Sequence, residues 1–166
     1  MRRYILLVVL ALAAASPAGA DVAAGSVGLG IAAGAAVPYG STASVPSTDG
    51  LVSFNWGFFV NIPLISTFHI TPSSELYKFS SQNATDMDIA FTFIVPLGTF
   101  DVYAGAAPGL TAVGDVLLAH VGGILGAAFP LVSNLSAFAQ VKYTVLFDGS
   151  QNITVTHLMG GVLFSF

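Results

Sequence analysis

The residues that could do acid–base or metal chemistry are few and far apart. His69, His120 and His157 are the only imidazoles in the 166-residue chain. Imidazole titrates near neutral pH and is a common metal ligand, so a catalytic base or a metal centre is the sharp use for them. Their spacing argues against both. No HxxxH or HExxH pattern puts two of them on one face of an element, and a zinc site needs three or four convergent ligands. Cysteine is absent, which removes thiolate sites and disulfides. Thr154, Thr156 and Ser165 lie near His157, which motivates a lipid-active hydrolase. Such an enzyme needs a base beside its nucleophile and a third group to orient the base, and no G-x-S-x-G elbow is present. The Gly-rich runs 25–34 and 122–126 are not followed by Lys-Ser/Thr, so they read as places where strands curve and close, not as phosphate loops. The expectation is a chain with no catalytic, cofactor or metal site.

Elements of period two position these side chains. From Val52 the even residues Val52, Phe54, Trp56, Phe58, Val60 and Ile62 are large and apolar. Their odd neighbours are Ser53, Asn55, Gly57, Phe59 and Asn61. Met87, Ile89, Phe91, Phe93 and Val95 alternate with Asp88, Ala90, Thr92 and Ile94. Leu135, Ala137, Ala139, Val141, Tyr143, Val145 and Phe147 alternate with Ser136, Phe138, Gln140, Lys142, Thr144 and Leu146. One face is greasy and the other small or polar. That pattern fits a soluble sandwich or a membrane barrel with lipid outside.

Composition decides between them. Arg2 and Arg3, the apolar run Ile5 to Ala15 and Pro17-Ala18-Gly19-Ala20 form the three regions of a secretory signal peptide, with cleavage before Asp21. Residues 1–20 are therefore expected to be removed, leaving 21–166 as one domain. That domain keeps Lys78 and Lys142 against eight carboxylates, a net charge of −6. So few cations exclude nucleic acid, whose binding needs several Lys or Arg per site. The chain is 7% charged and 55% hydrophobic, where a soluble domain is about a quarter charged. Water is a poor solvent for such a surface. No uninterrupted apolar run is long enough for a spanning helix: Val22–Val37 carries four glycines, and Ala119–Val132 is broken by His120, glycines and Pro130. The remaining way to satisfy backbone hydrogen bonds in lipid is a closed barrel.

Connections set the strand count. Asn61–Pro63, Pro96–Thr99 and Pro130–Asn134 read as short turns, alternating with polar loops at Tyr39–Gly50, Pro72–Asp86, Thr111–Asp115 and Asp148–Asn152. Seven connections give eight strands, at 22–37, 51–62, 64–72, 86–95, 100–110, 115–129, 135–147 and 153–166. The expected fold is all-β: an eight-stranded antiparallel up-and-down transmembrane barrel with both termini periplasmic. Lys142, Asp101, Asp88 and Gln140 then point into the lumen, as do His69 and His120, while His157 sits near the outer rim. A buried ammonium needs a partner, so Lys142 is read as a register-fixing ion pair in preference to a gate. The inward faces of strands one (Ala24, Ser26, Gly28, Gly30, Ala32, Gly34) and six (Gly122, Gly126, Ala128) are small. Eight strands leave a lumen that side chains just fill, so Phe59, Tyr103, Phe138 and Leu146 must occupy that space or leave a water path or ligand cavity.

The ending Gly160-Gly161-Val162-Leu163-Phe164-Ser165-Phe166 resembles the C-terminal signal read by the outer-membrane barrel assembly machinery. Val95–Gly105 and Asn134–Tyr143 resemble turn-and-strand units of OmpA/OmpX-type small barrels. The resemblance implies a multi-pass protein of the bacterial outer membrane. It implies contact with outer-membrane lipid, assembly through Phe166, Phe164 and Val162, and a structural or surface role without catalysis. A surface partner would be met through loops 39–50 and 72–86. The small, weakly charged lumen motivates the alternative of a narrow pore or a carrier of small apolar molecules.

Overall fold

A computed structural model describes residues 26–42, 45, 51–79, 81–149 and 151–166. The expected signal peptide and Ala24 lie outside these residues. Eight strands form one closed antiparallel barrel in sequence order: β1 (Gly28–Tyr39), β2 (Ser53–Ile65), β3 (Phe68–Phe79), β4 (Gln82–Pro96), β5 (Asp101–Val113), β6 (Val116–Val132), β7 (Leu135–Asp148) and β8 (Gln151–Ser165). β1 pairs with β8 from Gly28↔Ser165 to Tyr39↔Thr154, so no sheet edge is left open. Both described termini meet at one end, where the Phe166 amide donates to the Val27 carbonyl.

The number of strands and their order match the expectation, but the boundaries do not. Pro63 and Pro130 were expected to mark turns and instead lie inside β2 and β6. Each sits where the register shifts, between Pro63 and Ile65 and between Pro130 and Val132. A bulge accommodates a residue that cannot donate to the ladder. The segment 72–86, expected as an external loop, is instead a continuous hairpin paired down to Phe79↔Gln82. The connections β5–β6 and β7–β8 are equally tight, and Gly114 and Gly149 supply their positive φ. Only the β1–β2 connection is long, so the expected alternation of short turns with long loops does not hold.

Alternation sorts the faces. Phe54, Phe93, Leu125 and Leu158 stand outward and are more than half exposed, in an apolar surface that encircles the strands. A monomer in water rarely exposes so large a contiguous apolar patch. Bulky lumen residues seat on glycines of neighbouring strands. A Cβ on Gly30 would lie 2.1 Å from the Phe59 ring, and one on Gly126 2.3 Å from Tyr103. Gly161 is closed in by backbone as well as by a ring, because a Cβ there would lie 2.1 Å from the Ile31 carbonyl oxygen and 2.7 Å from the Phe138 ring. Gly161→Val therefore wedges the β8–β1 seam. The expected loss is about 1–3 kcal/mol, the usual range for overpacking, read as a lowered urea midpoint in lipid vesicles. An unchanged midpoint would show that the seam tolerates the wedge.

Candidate functional site in the barrel lumen

The lumen is built in three layers. At the end away from the termini, Tyr77, Phe79, Leu118, Leu146, Ile153 and Val155 form an apolar plug with Val45 from the β1–β2 connection. Val45 is held there by its own backbone. The Thr42 amide donates to the Val45 carbonyl at 3.0 Å and the Val45 amide to Thr42 Oγ1 at 3.2 Å. The Thr42 hydroxyl in turn donates to Asp148 at the end of β7. Among the described residues this end of the barrel is closed.

Below the plug lies a charged belt. Lys142 on β7 extends across the lumen and is 1% exposed. Its Nζ donates to Glu75 Oε1 at 2.6 Å and Asp88 Oδ2 at 2.7 Å, and lies 3.6 Å from Asp86 Oδ2. Asp86 Oδ1 accepts from Tyr77 at 3.1 Å and Thr111 at 2.7 Å. Because the Thr111 hydroxyl spends its one proton on Asp86, it accepts from His120, whose Nδ1 is 2.7 Å away. That leaves His120 Nε2 facing Asp88 Oδ2 at 3.9 Å. His157 stands between two carboxylates, with Nδ1 3.1 Å from Glu75 Oε2 and Nε2 3.4 Å from Asp86 Oδ2. Asn55 Nδ2 lies 3.0 Å from that Glu75 oxygen and 2.9 Å from His157 Nδ1.

Glu75, Asp86 and His157 come close enough to suggest a metal centre. Glu75 approaches one ring nitrogen of His157 at 3.1 Å and Asp86 the other at 3.4 Å, so the imidazole lies between the two carboxylates. The Lys142 ammonium already faces both acids. The belt is an ion-pair network.

Beneath the belt, at the terminus-bearing end, a cavity of about 260 Å³ remains. Its roof is Glu75 and Asp88. Its walls include Phe59, Tyr103, Phe138 and Leu163, and His69, Asp101 and Gln140 supply polar atoms. Phe59 and Phe138 meet edge to face with centroids 5.0 Å apart. Tyr103 donates to Gln140 Oε1 at 3.0 Å, and Asn61 Oδ1 accepts from Thr71 and from His69 Nδ1.

Sequence reasoning named six lumen residues, and the structure divides them between two layers. Lys142, Asp88 and His120 join in the belt, whereas His69, Asp101 and Gln140 line the cavity. His157 requires correction. It was expected near the outer rim and is wholly buried in the belt. Its neighbours are Asn55, Glu75, Asp86 and the edge-on ring of Tyr77, not a nucleophilic hydroxyl, which removes the motive for a hydrolase. Glu75, Asp86, Asn55 and Thr111 were missed. Parity on β4 could have found Asp86, two residues before Asp88. Phe164, Val162 and Phe166 are outward on β8 and just past its end.

No protein-family model and no curated protein matches the chain. Among solved structures, the crystal structure of Neisserial surface protein A (NspA) matches with a TM-score of 0.70 at 15% identity, covering 84% of this chain and 97% of that one. The crystal structure of Ail, the attachment invasion locus protein of Yersinia pestis, matches with a TM-score of 0.53 at 12% identity, covering 86% and 99%. Identities this low speak for architecture alone. The closed sheet, its eight antiparallel strands and these neighbours together give the chain the fold of the small eight-stranded outer-membrane barrels.

Proposed function

We infer that the protein is a non-catalytic, non-conducting barrel of the bacterial outer membrane, acting through its outer surface and its closed end in a structural or surface-interaction role. The apolar plug carries this reading. A lumen filled by Phe79, Leu146, Ile153 and Val45 and crossed by the Lys142 belt offers ions no hydrated path. The greasy exterior suits lipid. The terminus-bearing end is assigned to the periplasm, in line with the signal peptide and with Phe166, Phe164 and Val162 as the strand end offered to the assembly machinery. The β1–β2 connection and the tip of the β3–β4 hairpin would then face outside, where a partner could be met. The narrow-pore alternative loses its support to the plug.

Two measurements test the reading. The mature protein should fractionate with the outer membrane and change gel mobility on boiling, as closed barrels do. In planar bilayers it should be electrically silent. Discrete openings at modest voltage would overturn the sealed-lumen reading, and a soluble periplasmic monomer would overturn the membrane address.

A further inference from the structure

The three turns at the terminus-bearing end share a motif that the plug, the belt and the cavity leave unused. They read Pro63-Leu64-Ile65, Pro96-Leu97-Gly98 and Pro130-Leu131-Val132. In each, the proline has lumen-facing parity and the leucine continues the outward row. Pro63 pairs with His69 and Pro130 with Ser136, and beyond each the register shifts to Ile65↔Phe68 and Val132↔Leu135. Leu64 and Ile65 thus oppose Phe68 together, and Leu131 and Val132 oppose Leu135 together, two residues against one. Phe68 and Leu135 stand on the outward face, across from Phe93 and Phe164, so the residue brought opposite each of them joins that face. Each bulge therefore presents two consecutive large apolar side chains, and all four are exposed.

The tight turns at the plugged end are built differently. Gln82, Asp115 and Gln151 stand exposed there beside Gly114 and Gly149. Residues 63–67, 96–100 and 130–134 contain no charged side chain. Leucines left in water forfeit the free energy of their burial, so a medium other than water suits these tips. Continuity identifies it. Val60, Ile62 and Leu64 on β2 form one outward apolar row, and Phe93, Val95 and Leu97 running on from β4 form another. Leu125, Ala127, Phe129 and Leu131 on β6 form the third. A docking patch for a soluble protein carries a polar rim, whereas these rows pass directly into the lipid face. Phe100 stacks on Phe129 with centroids 5.4 Å apart, and Phe166 lies 6.3 Å from Phe164, aromatic pairs of the kind that border the apolar band of such barrels.

We propose that the three Pro-Leu turns are membrane anchors, seated in the acyl–headgroup boundary of the leaflet on the terminus-bearing side, and that they set the depth at which the barrel rides. Their partner is a lipid surface, met by turns as well as by strands. The cavity lining reaches Pro63, Asp101 and Ser136 beside these turns, so the cavity opens at headgroup height. The proposal rests on the barrel reading but needs neither an open pore nor a particular surface partner.

The test uses the mature barrel folded into phosphatidylcholine vesicles, with folding verified by heat-modifiable mobility. The acyl chains are brominated either near the glycerol or near their middle, and bromine quenches tryptophan on contact. Trp56→Phe removes the one tryptophan of the chain, and in that background Leu97→Trp, Leu131→Trp, Leu125→Trp and Asp115→Trp are compared one at a time. The two turn variants should lose most of their emission to the shallow bromines and Leu125→Trp to the deep ones. Asp115→Trp should yield only to aqueous acrylamide. In the chain that keeps Trp56, that residue is the depth gauge. Combining Leu64→Ser, Leu97→Ser and Leu131→Ser should shift its quenching between the shallow and the deep bromines. Turn variants that behave like Asp115→Trp, while Leu125→Trp is still quenched by lipid, would overturn the anchors, return those leucines to a soluble partner and leave the barrel reading intact. An unmoved Trp56 in a folded triple variant would overturn the depth role. If the triple variant does not fold, the single variants still decide. Loss of bromine quenching at Leu125→Trp as well would overturn the barrel reading itself.

Discussion

Lys142→Met should destabilise the barrel by about 3–5 kcal/mol, the usual result of removing one partner from a buried ion pair. Lys142 contacts two carboxylates at hydrogen-bond distance and a third at 3.6 Å. Methionine retains most of the volume, so the loss is electrostatic: Glu75, Asp86 and Asp88 stay buried with no cation among them. Lys78→Met is the control. Lys78 is exposed near the end of β3, and its replacement should change stability by less than about 0.5 kcal/mol. Urea titration in lipid vesicles measures both. Adding Asp88→Asn to Lys142→Met should recover part of the loss, because the two side chains are coupled and coupled pairs interact by about 0.5–3 kcal/mol. Additive losses would mean that the Lys142–Asp88 contact contributes nothing, and equal effects of Lys78→Met and Lys142→Met would remove the belt from the account of stability.

The belt shows what the sequence could and could not disclose. β7 was legible because every outward residue from Leu135 to Phe147 is apolar or aromatic and Lys142 is the one cation of opposite parity. Strand order followed from the same regularity. β3 was illegible beyond its first residues. Its outward positions include Pro72, Ser74 and Lys78, so the greasy half of the alternation fades and the segment reads as a polar loop. Glu75 and Tyr77 went with it, and the belt lost the acid that bridges Lys142 and His157. His157 failed differently. It has the parity opposite to Val162, Phe164 and Phe166, which already assigns it to the lumen, but proximity to the strand's start suggested a rim position. Proline misled for a local reason: bulges admit Pro63 and Pro130 into strands that its chemistry usually ends. The cavity depends on side-chain volumes summed over seven strands. The Gly30–Phe59, Gly126–Tyr103 and Gly161–Phe138 pairs consume much of the lumen but leave the chamber beneath Asp88 unfilled, a sum that no single strand displays.

Leu125→Arg should cost about 2–4 kcal/mol when the barrel is unfolded from a bilayer, the range for a cation on the lipid face at mid-depth. β6 runs from Val116 to Val132, which puts Leu125 near its middle, and the side chain is 59% exposed to whatever surrounds the barrel. Leu97 is equally open at 54% but lies in the β4–β5 turn, where its amide donates to the Phe100 carbonyl. Leu97→Arg should cost no more than about 1 kcal/mol, because an arginine at that height reaches the headgroups. Exposure is nearly matched in the two variants and depth is not, so the difference between them reports the solvent. Around a barrel in water, arginine at either site would be hydrated at once and both substitutions would be close to neutral. Around a barrel in lipid, only the middle of the strand is out of water's reach, and the backbone there is already satisfied by its neighbours. The cost of Leu125→Arg is therefore that of placing one charge in hydrocarbon, without any broken protein contact to confuse it. Equal unfolding midpoints for Leu125→Arg and Leu97→Arg in vesicles would place β6 outside the membrane, and with it the exterior on which the functional reading depends.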